Sequence, residues 1–376
     1  MNVIKFLLIP FLGILLVPIS SNAQDTITVS GTEIFQKAKV LEVRSQGTTS
    51  VVGTDTLAQV QVLKVEILDG VHKGDIVSFE NDYIQLAQGD VFYARYQKDF
   101  LSGDEYWSVS NPYRLNILFW LTIAFIVLIF IFGGIQGVRG LASLIGSLFL
   151  IFYLLIPGIY GGYNAVAISI TVAALIIIVG SYITHGFNRT TSAAVLGMIF
   201  TVFITGLAAY YAVHAAHLSG YDSEESMFLN LDTQGTINMV GLLFGGIMIG
   251  LLGVLYDIAI GQAVAIEELF RAGKELTRRE VYKRGIRIGR EHIGALVNTL
   301  AIAYVGASLP LLLLIQNSTT GILFIINSEI FATEIVRILI GSIGLIVAVP
   351  ITTLIASYML YGRVITSSAQ THGHRH

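Results

Sequence analysis

Apolar residues change their spacing along this chain. Between about residues 24 and 113, β-branched and aromatic residues interleave with polar ones, as in KVLEVRS, LAQVQVLKVEIL, DIVSFEN, VFYARYQ and YWSVSN. Turn residues separate these runs, as at Asp69-Gly70 and Gly89-Asp90. Short alternating runs between turns predict strands, and together a small all-β domain, either an OB-like barrel or a sandwich.

From Leu115 the alternation gives way to long apolar blocks. Seven can cross a bilayer as helices: Leu115–Phe132, Leu141–Ile159, Asn164–Thr184, Thr191–His214, Ile237–Ile260, Ile293–Gln316 and Phe331–Leu360. A helix of about 20 apolar residues spans the hydrocarbon and satisfies its own backbone there. The predicted fold class is an α-helical integral membrane bundle of about seven transmembrane helices, preceded by the small all-β domain.

The fifth block does not end where the membrane should. If helical from Ile237 to Arg271, it is about 50 Å long, against a hydrocarbon core of about 30 Å. It is therefore expected to project beyond the bilayer. Ile266, Leu269 and Phe270 form an apolar stripe beside Glu267 and Glu268. Gly273 is a helix-stop residue, and Thr277-Arg278-Arg279-Glu280 reads as a capping box for a new helix. Residues 261–292 are thus expected to form a helical hairpin. Its basic half suits anionic lipid headgroups or a cytoplasmic partner, or simply obeys the charge bias of inner loops.

Composition agrees with a membrane protein. Of 376 residues 54% are hydrophobic and 12% charged, where soluble domains carry about 25% charged residues. Mean hydropathy is +0.73. The net charge of -3 argues against a nucleic-acid partner, and without cysteine there can be neither disulfides nor thiolate-held metal. Lys5, the apolar stretch Phe6–Ile19 and Ser21-Asn22-Ala23 read as a signal peptide over residues 1–23, the alternative being a retained anchor. Arg139, Arg189, Arg363 and the eight basic residues from Arg271 to Arg290 (Lys274 among them) fall in one set of loops, whereas the alternate loops hold no Lys or Arg. That asymmetry puts the hairpin and C-terminal tail inside and the β domain outside. The expected location is a bacterial cytoplasmic membrane, with residues 24–113 as the outer domain, 114–363 as the membrane domain and 364–376 as a tail.

Candidate chemistry is sparse. Asp257 is a carboxylate within an apolar block, a costly placement that usually serves a partner or a water-filled path. Glu268 lies three turns further along its face, and Asn298 on the next block is a plausible facing partner. An ion, proton or substrate path is one reading; a single structural hydrogen bond, or an acid already at the interface, is the other. Glu334 and Arg337, with Glu329 before them, stand at helical spacing near the outer start of the last block and can pair, either as an ordinary interfacial pair or as a gate. Gly241/Gly245 and Gly246/Gly250 are small-x3-small pairs, with Gly253 following. They suit tight packing within the bundle or, alternatively, a homodimer through the helix at 237–260. Pro310 and Pro350 interrupt the last two blocks. His214 and His217 stand near Asp222, Glu224 and Glu225, where an acidic loop is the simpler reading than metal capture. No phosphate loop, zinc-protease motif or nucleophile elbow is present, so no enzyme, cofactor or metal is expected.

Three stretches carry a resemblance to a known family: GVLYDIAIGQAVAIEEL, IGREHIGALVNTLAIAYVGASLPLLLL and NSEIFATEIVRILIGSIGLIVAVPITTLIA. With these the chain resembles the YibE/F-like family of bacterial multi-spanning membrane proteins, over most of its length from the β domain onward. The resemblance implies a signal or anchor segment, an extracytoplasmic β domain and a membrane bundle. Members are named as permeases or simply as membrane proteins. Matching positions are Asp257, Glu268, Gly289, Arg290, Glu291, Asn298, Glu334, Arg337 and Pro350, while Gly261 and Gln262 stand where small hydroxyl residues are more usual. Two functions lead, ahead of a membrane enzyme acting on lipid, whose site would be assembled from distant helices. One is a transporter, secondary or partner-driven, with its path between the helices at 237–260, 293–316 and 331–360, lined by Asp257, Asn298 and Glu268, with Glu334 and Arg337 at its mouth. The other is a scaffold or sensor whose β domain binds an external partner and whose hairpin relays to an internal one.

Overall fold

The computed structural model describes residues 33–50, 57–99, 103–273, 275–316 and 320–361. The expected signal peptide, Lys274 and the tail from residue 362 lie outside the described residues. The chain divides into two compact units after Phe132.

The first unit is the β domain. Its five strands, β1 (Ile34–Ser50), β2 (Leu57–Ile67), β3 (Ile76–Asn81), β4 (Val91–Lys98) and β5 (Glu105–Pro112), form one antiparallel sheet in the order β3-β2-β1-β4-β5. The long β1 pairs with β2 along its length and with β4 at its start. Register shifts between Val40/Glu42 and Val43/Ser45 mark bulges, which bend a strand and let a sheet curl. The result is an antiparallel half-barrel of the OB-like kind. Ala38, Val40, Leu63, Val65, Ile67, Phe92 and Ala94 fill its interior at alternate positions, as the period-two pattern requires. Gln61 is buried there but fully used: its amide donates to the Leu86 carbonyl at 2.9 Å and its oxygen accepts from the Leu86 N–H at 2.8 Å.

The second unit is helical, and the first also holds the opening part of the first helix, Leu115–Phe132. The helices are α1 (Leu115–Leu150), α2 (Ile156–Tyr160), α3 (Ala165–His185), α4 (Arg189–Ala215), α5 (Glu224–Asp232), α6 (Met239–Ala272), α7 (Arg278–Ala307), α8 (Leu309–Gln316), α9 (Ile322–Asn327) and α10 (Glu329–Met359). A π-helical turn, Ile151–Leu155, joins α1 to α2. Among the described residues five helical runs are long and apolar enough to cross a membrane: Leu115–Tyr160, Ala165–His185, Arg189–Ala215, Met239–Ala272 and Glu329–Met359. The first contains two of the expected spans, separated at Gly134, whose φ of 52° and ψ of -141° leave the helical region. The boundary between the two units falls beside it, between Phe132 and Gly133.

The expected sixth span is not one helix. α7 ends at Ala307, Ser308 caps it, and α8 resumes at Leu309. Pro310 accounts for the break, because it lacks an N–H and its ring clashes with the carbonyl four residues earlier, that of Gly306. Pro350, by contrast, sits inside an unbroken α10. The hairpin is as expected: α6 runs to Ala272, Gly273 caps it, and Thr277 opens α7 in a complete capping box. The Thr277 N–H and hydroxyl both donate to Glu280 at 2.8 Å, which holds the Glu280 carboxyl below the usual glutamate range.

α3, α4, α6 and α10 pack around a core that includes Met198, Phe244, Ile247, Met248 and Leu255. Glycines set the contacts. A Cβ on Gly241 would come within 2.5 Å of Ala165 on α3, and one on Gly245 within 2.6 Å of the Ser169 hydroxyl. The first glycine pair therefore serves packing within the bundle. α7 attaches by a glycine pair of its own. Gly285 lies against Ile266 and Thr353, and Gly289 against Val349 and Gln262. Gln262 is 2% exposed. Its amide donates to the Gly285 carbonyl and to the Thr353 hydroxyl, each at 2.7 Å. The seam between α6, α7 and α10 is thus filled at the level of Gln262, Gly285 and Gly289.

Candidate functional site

Arg337 lies eight residues into α10, about 12 Å from that helix's start, and a bare guanidinium so placed among apolar helices would be costly. The structure supplies two carboxylates. Glu334 pairs with it from the preceding turn, and Asp222 approaches at 3.6 Å from the segment between α4 and α5. The Tyr304 ring of α7 stands 6.0 Å away, within cation–π reach. Glu329 fastens the same segment to α10. It accepts from the Ser219 N–H and hydroxyl at 2.7 Å and from the Gly220 N–H at 2.8 Å. Gly220 is fixed in kind as well as place: its φ is +82° and a Cβ would meet the Met239 carbonyl oxygen at 2.3 Å.

Beside this cluster is a cavity of about 420 Å³, open on one side. Asp222, Ser223, Glu225, Ser226 and Arg337 give it polar walls, and Leu155, Ile159 and the α6 residues Leu242, Gly246 and Ile249 close its floor. A second cavity, of about 550 Å³, lies at the other end of the bundle. His185, Asn188, Arg189 and Thr190 line it from the α3–α4 connection, and Ile260, Val264, Glu267 and Arg271 from α6. There Glu267 accepts from the Thr190 hydroxyl at 2.5 Å and pairs with Arg271, which also reaches Glu268 at 3.3 Å.

The two cavities share one face of α6. Leu242, Gly246 and Ile249 belong to the first and Ile260, Val264, Glu267 and Arg271 to the second. These positions follow a single series of three- and four-residue steps, the spacing of one helical stripe. The members of the series between the cavities are Gly253 and Tyr256. The Tyr256 hydroxyl donates to the Gly180 carbonyl of α3 at 3.3 Å, and its ring lies 6.0 Å from that of His185. Ile249 and Ile260 are eleven residues apart, about 16 Å of helix.

The sequence-derived candidates fall into two groups. Glu334 and Arg337 meet as expected, with Asp222 as a partner the spacing alone did not reveal. Asp257, Asn298 and Glu268 are exposed and border neither cavity. Asp257 and Asn298 do not face each other, which corrects the expected pairing. Asn298 is nine residues from Gly289, half a turn out of phase with the side of α7 that touches α6, and Asp257 is about 140° round α6 from Gln262. Tyr256 was not singled out in the sequence reading, and Glu267 was read there only as the flank of an apolar stripe. The stripe through Leu242, Ile249, Tyr256 and Glu267 was present in the sequence, but within an apolar block nothing distinguishes one stripe from its neighbours.

Fold and site together define a multi-spanning α-helical membrane protein with a half-barrel domain before its helices. It belongs to the YibE/F-like protein family, whose model matches residues 121–362. The match begins within α1, so the β domain lies outside it, a shorter extent than the sequence resemblance gave. No curated protein and no solved structure matches the chain.

Proposed function

We propose that this protein is a membrane transporter whose path follows the face of α6 that joins the two cavities. The observation that carries this reading is their alignment. Two polar-walled cavities enter the bundle from opposite ends, lie on one helical stripe, and are separated by the span that contains Tyr256. In this reading Tyr256 is the constriction, the Arg337–Asp222–Glu334 cluster borders the outer mouth, and Glu267 with Arg189 and Arg271 borders the inner one. The basic residues of α7 face the cytoplasm, as the charge asymmetry of the loops favours. Acidic groups outnumber basic ones at the outer mouth, which suits a cation or a small solute with a cationic group. No nucleotide site is expected from the sequence, so movement is secondary or driven by a partner.

The test does not depend on the identity of the substrate. Reconstituted in sealed vesicles, Tyr256→Gly is expected to raise passive flux of small monovalent cations above the wild-type level, because it widens the narrowest part of the path. Equal flux from the two proteins would contradict the reading. The scaffold reading has one observation in its favour, the exposed row Lys283, Arg284, Arg287 and Arg290 on α7, and it would then be preferred.

A further inference from the structure

The larger of the two bundle cavities holds a cation that no carboxylate among the described residues neutralises. Its charged lining is Arg189, Glu267 and Arg271. One Glu267 oxygen pairs with Arg271 and the other accepts from the Thr190 hydroxyl, so that acid is fully used. Arg189 has neither an ion-pair nor a hydrogen-bond partner among the described residues. It is also the only Asp, Glu, Lys or Arg in α3 and α4. The connection between these two apolar helices therefore lies at the polar margin of the membrane. Phe187, in the same connection, is 88% exposed, and its ring stacks on that of Tyr182 at 4.3 Å. Aromatic rings beside a lone cation mark the headgroup level. Towards the membrane interior the cavity wall is apolar, made by Ile260 and Val264, and Val264 is 45% exposed.

We propose that this cavity binds the phosphodiester of an anionic phospholipid drawn from the leaflet on the hairpin side. The Arg189 guanidinium donates to the phosphate oxygens, and the first acyl carbons lie along Ile260 and Val264. Basic pockets between membrane helices favour such headgroups. Charge selects the class. One uncompensated cation matches the single negative charge of a phosphodiester, whereas a phosphomonoester carries about −1.5 to −2 at pH 7. His185 supplies a second donor. The Gln136 amide donates to the Thr184 carbonyl at 3.1 Å and faces the His185 Nδ1 at 3.5 Å. Because an amide N–H can only donate, the ring proton belongs on Nε2. The site does not rest on the N-terminus of α4, which Asn188 caps by accepting from the Thr191 N–H at 2.7 Å.

A lipid so placed closes the inner mouth of the proposed path wherever the bilayer holds anionic lipid, and leaves it open to water where the bilayer holds none. Its binding is read without transport, so the site stands or falls apart from that path.

The test uses the full chain in neutral detergent, titrated with dioleoylphosphatidylglycerol, with bound lipid counted by native mass spectrometry. Arg189→Gln is expected to weaken the first binding event roughly 5-fold or more, the share of one basic residue near a headgroup, with the melting temperature without lipid unchanged. Glu267→Gln is expected to tighten it to a similar extent, because it frees Arg271 from one of its two acids. A folding defect cannot produce that gain. Arg290→Gln removes an exposed cation outside the cavity and is expected to leave the first event unchanged. Dioleoylglycerol and glycerophosphoglycerol, the chains and the headgroup offered separately at the same concentration, are expected not to displace the lipid. Displacement by the headgroup alone would make this a site for soluble phosphodiesters, and displacement by the chains alone an apolar groove; either overturns the proposal. So does an Arg189→Gln variant that binds as the wild type or loses no more than Arg290→Gln, or a Glu267→Gln variant that binds no tighter.

Discussion

Replacing Gly289 with valine is expected to detach α7 from the rest of the bundle. A Cβ there would stand 2.3 Å from a Val349 methyl and 3.0 Å from the Gln262 side-chain oxygen. Neither neighbour has room to retreat, because Val349 is 1% exposed and Gln262 2%. Overpacking of this kind costs about 1–3 kcal/mol. Separation of the helices also breaks the bond from Gln262 to the Gly285 carbonyl, and orphaned buried groups of that kind cost a further 1–3 kcal/mol or so. A loss of about 3 kcal/mol or more and a melting temperature lower by roughly 5 °C or more are expected in detergent. Gly306→Val on the same helix is the control. A Cβ there meets nothing within 4 Å, so its effect should stay within about 0.5 kcal/mol. Equal melting temperatures for the two variants would show that the α7 seam is not tightly packed.

Replacing Arg337 with glutamine is expected to loosen the segment between α4 and α5. The Arg337 side chain is 23% exposed, that of Asp222 19% and that of Glu334 22%, so water screens the cluster only in part. Without the arginine two carboxylates face one another with no cation. Breaking a buried pair costs about 3–5 kcal/mol, and the partial exposure here brings the expected loss to about 2 kcal/mol or more. Limited proteolysis should show new cleavage around residues 217–223, alongside a lower melting temperature. The triple variant Arg337→Gln, Asp222→Asn and Glu334→Gln removes the unpaired charges together and is expected to recover most of the loss, since these residues act as one network. A triple variant no more stable than Arg337→Gln would mean that the arginine holds the segment by packing rather than by charge.

Much of this architecture was legible in the sequence, for identifiable physical reasons. Period-two alternation marked the strands of the half-barrel, because one face of each strand is buried. The length of the apolar run before Arg271 announced a helix too long for the bilayer, and Thr277 with Glu280 announced where the next begins, because capping chemistry is local. Glu334 and Arg337 could be paired because three residues is one turn. What escaped was orientation. α6 is apolar on nearly every side, so periodicity could not say that Gln262 points at α7, Gly245 at α3 and Asp257 at neither. Asp222 joined Arg337 across more than a hundred residues of chain, a distance that no spacing rule covers. Both prolines were read as interruptions, yet only Pro310 goes with a break, at Ser308, while Pro350 sits within a continuous α10.

Placing the β domain outside and the hairpin inside remains a reading of charge asymmetry, and the transport path builds on it. Its most direct test uses the cysteine-free background. Ile249→Cys and Val264→Cys, introduced singly, are to be exposed in sealed vesicles of known orientation to a membrane-impermeant thiol reagent. The expected result is modification of Ile249→Cys from the outer side alone and of Val264→Cys from the inner side alone, with Tyr256→Gly opening both to either side. If both cysteines resist the aqueous reagent yet react with a lipid-soluble one, hydrocarbon fills the two cavities and the face of α6 is no path.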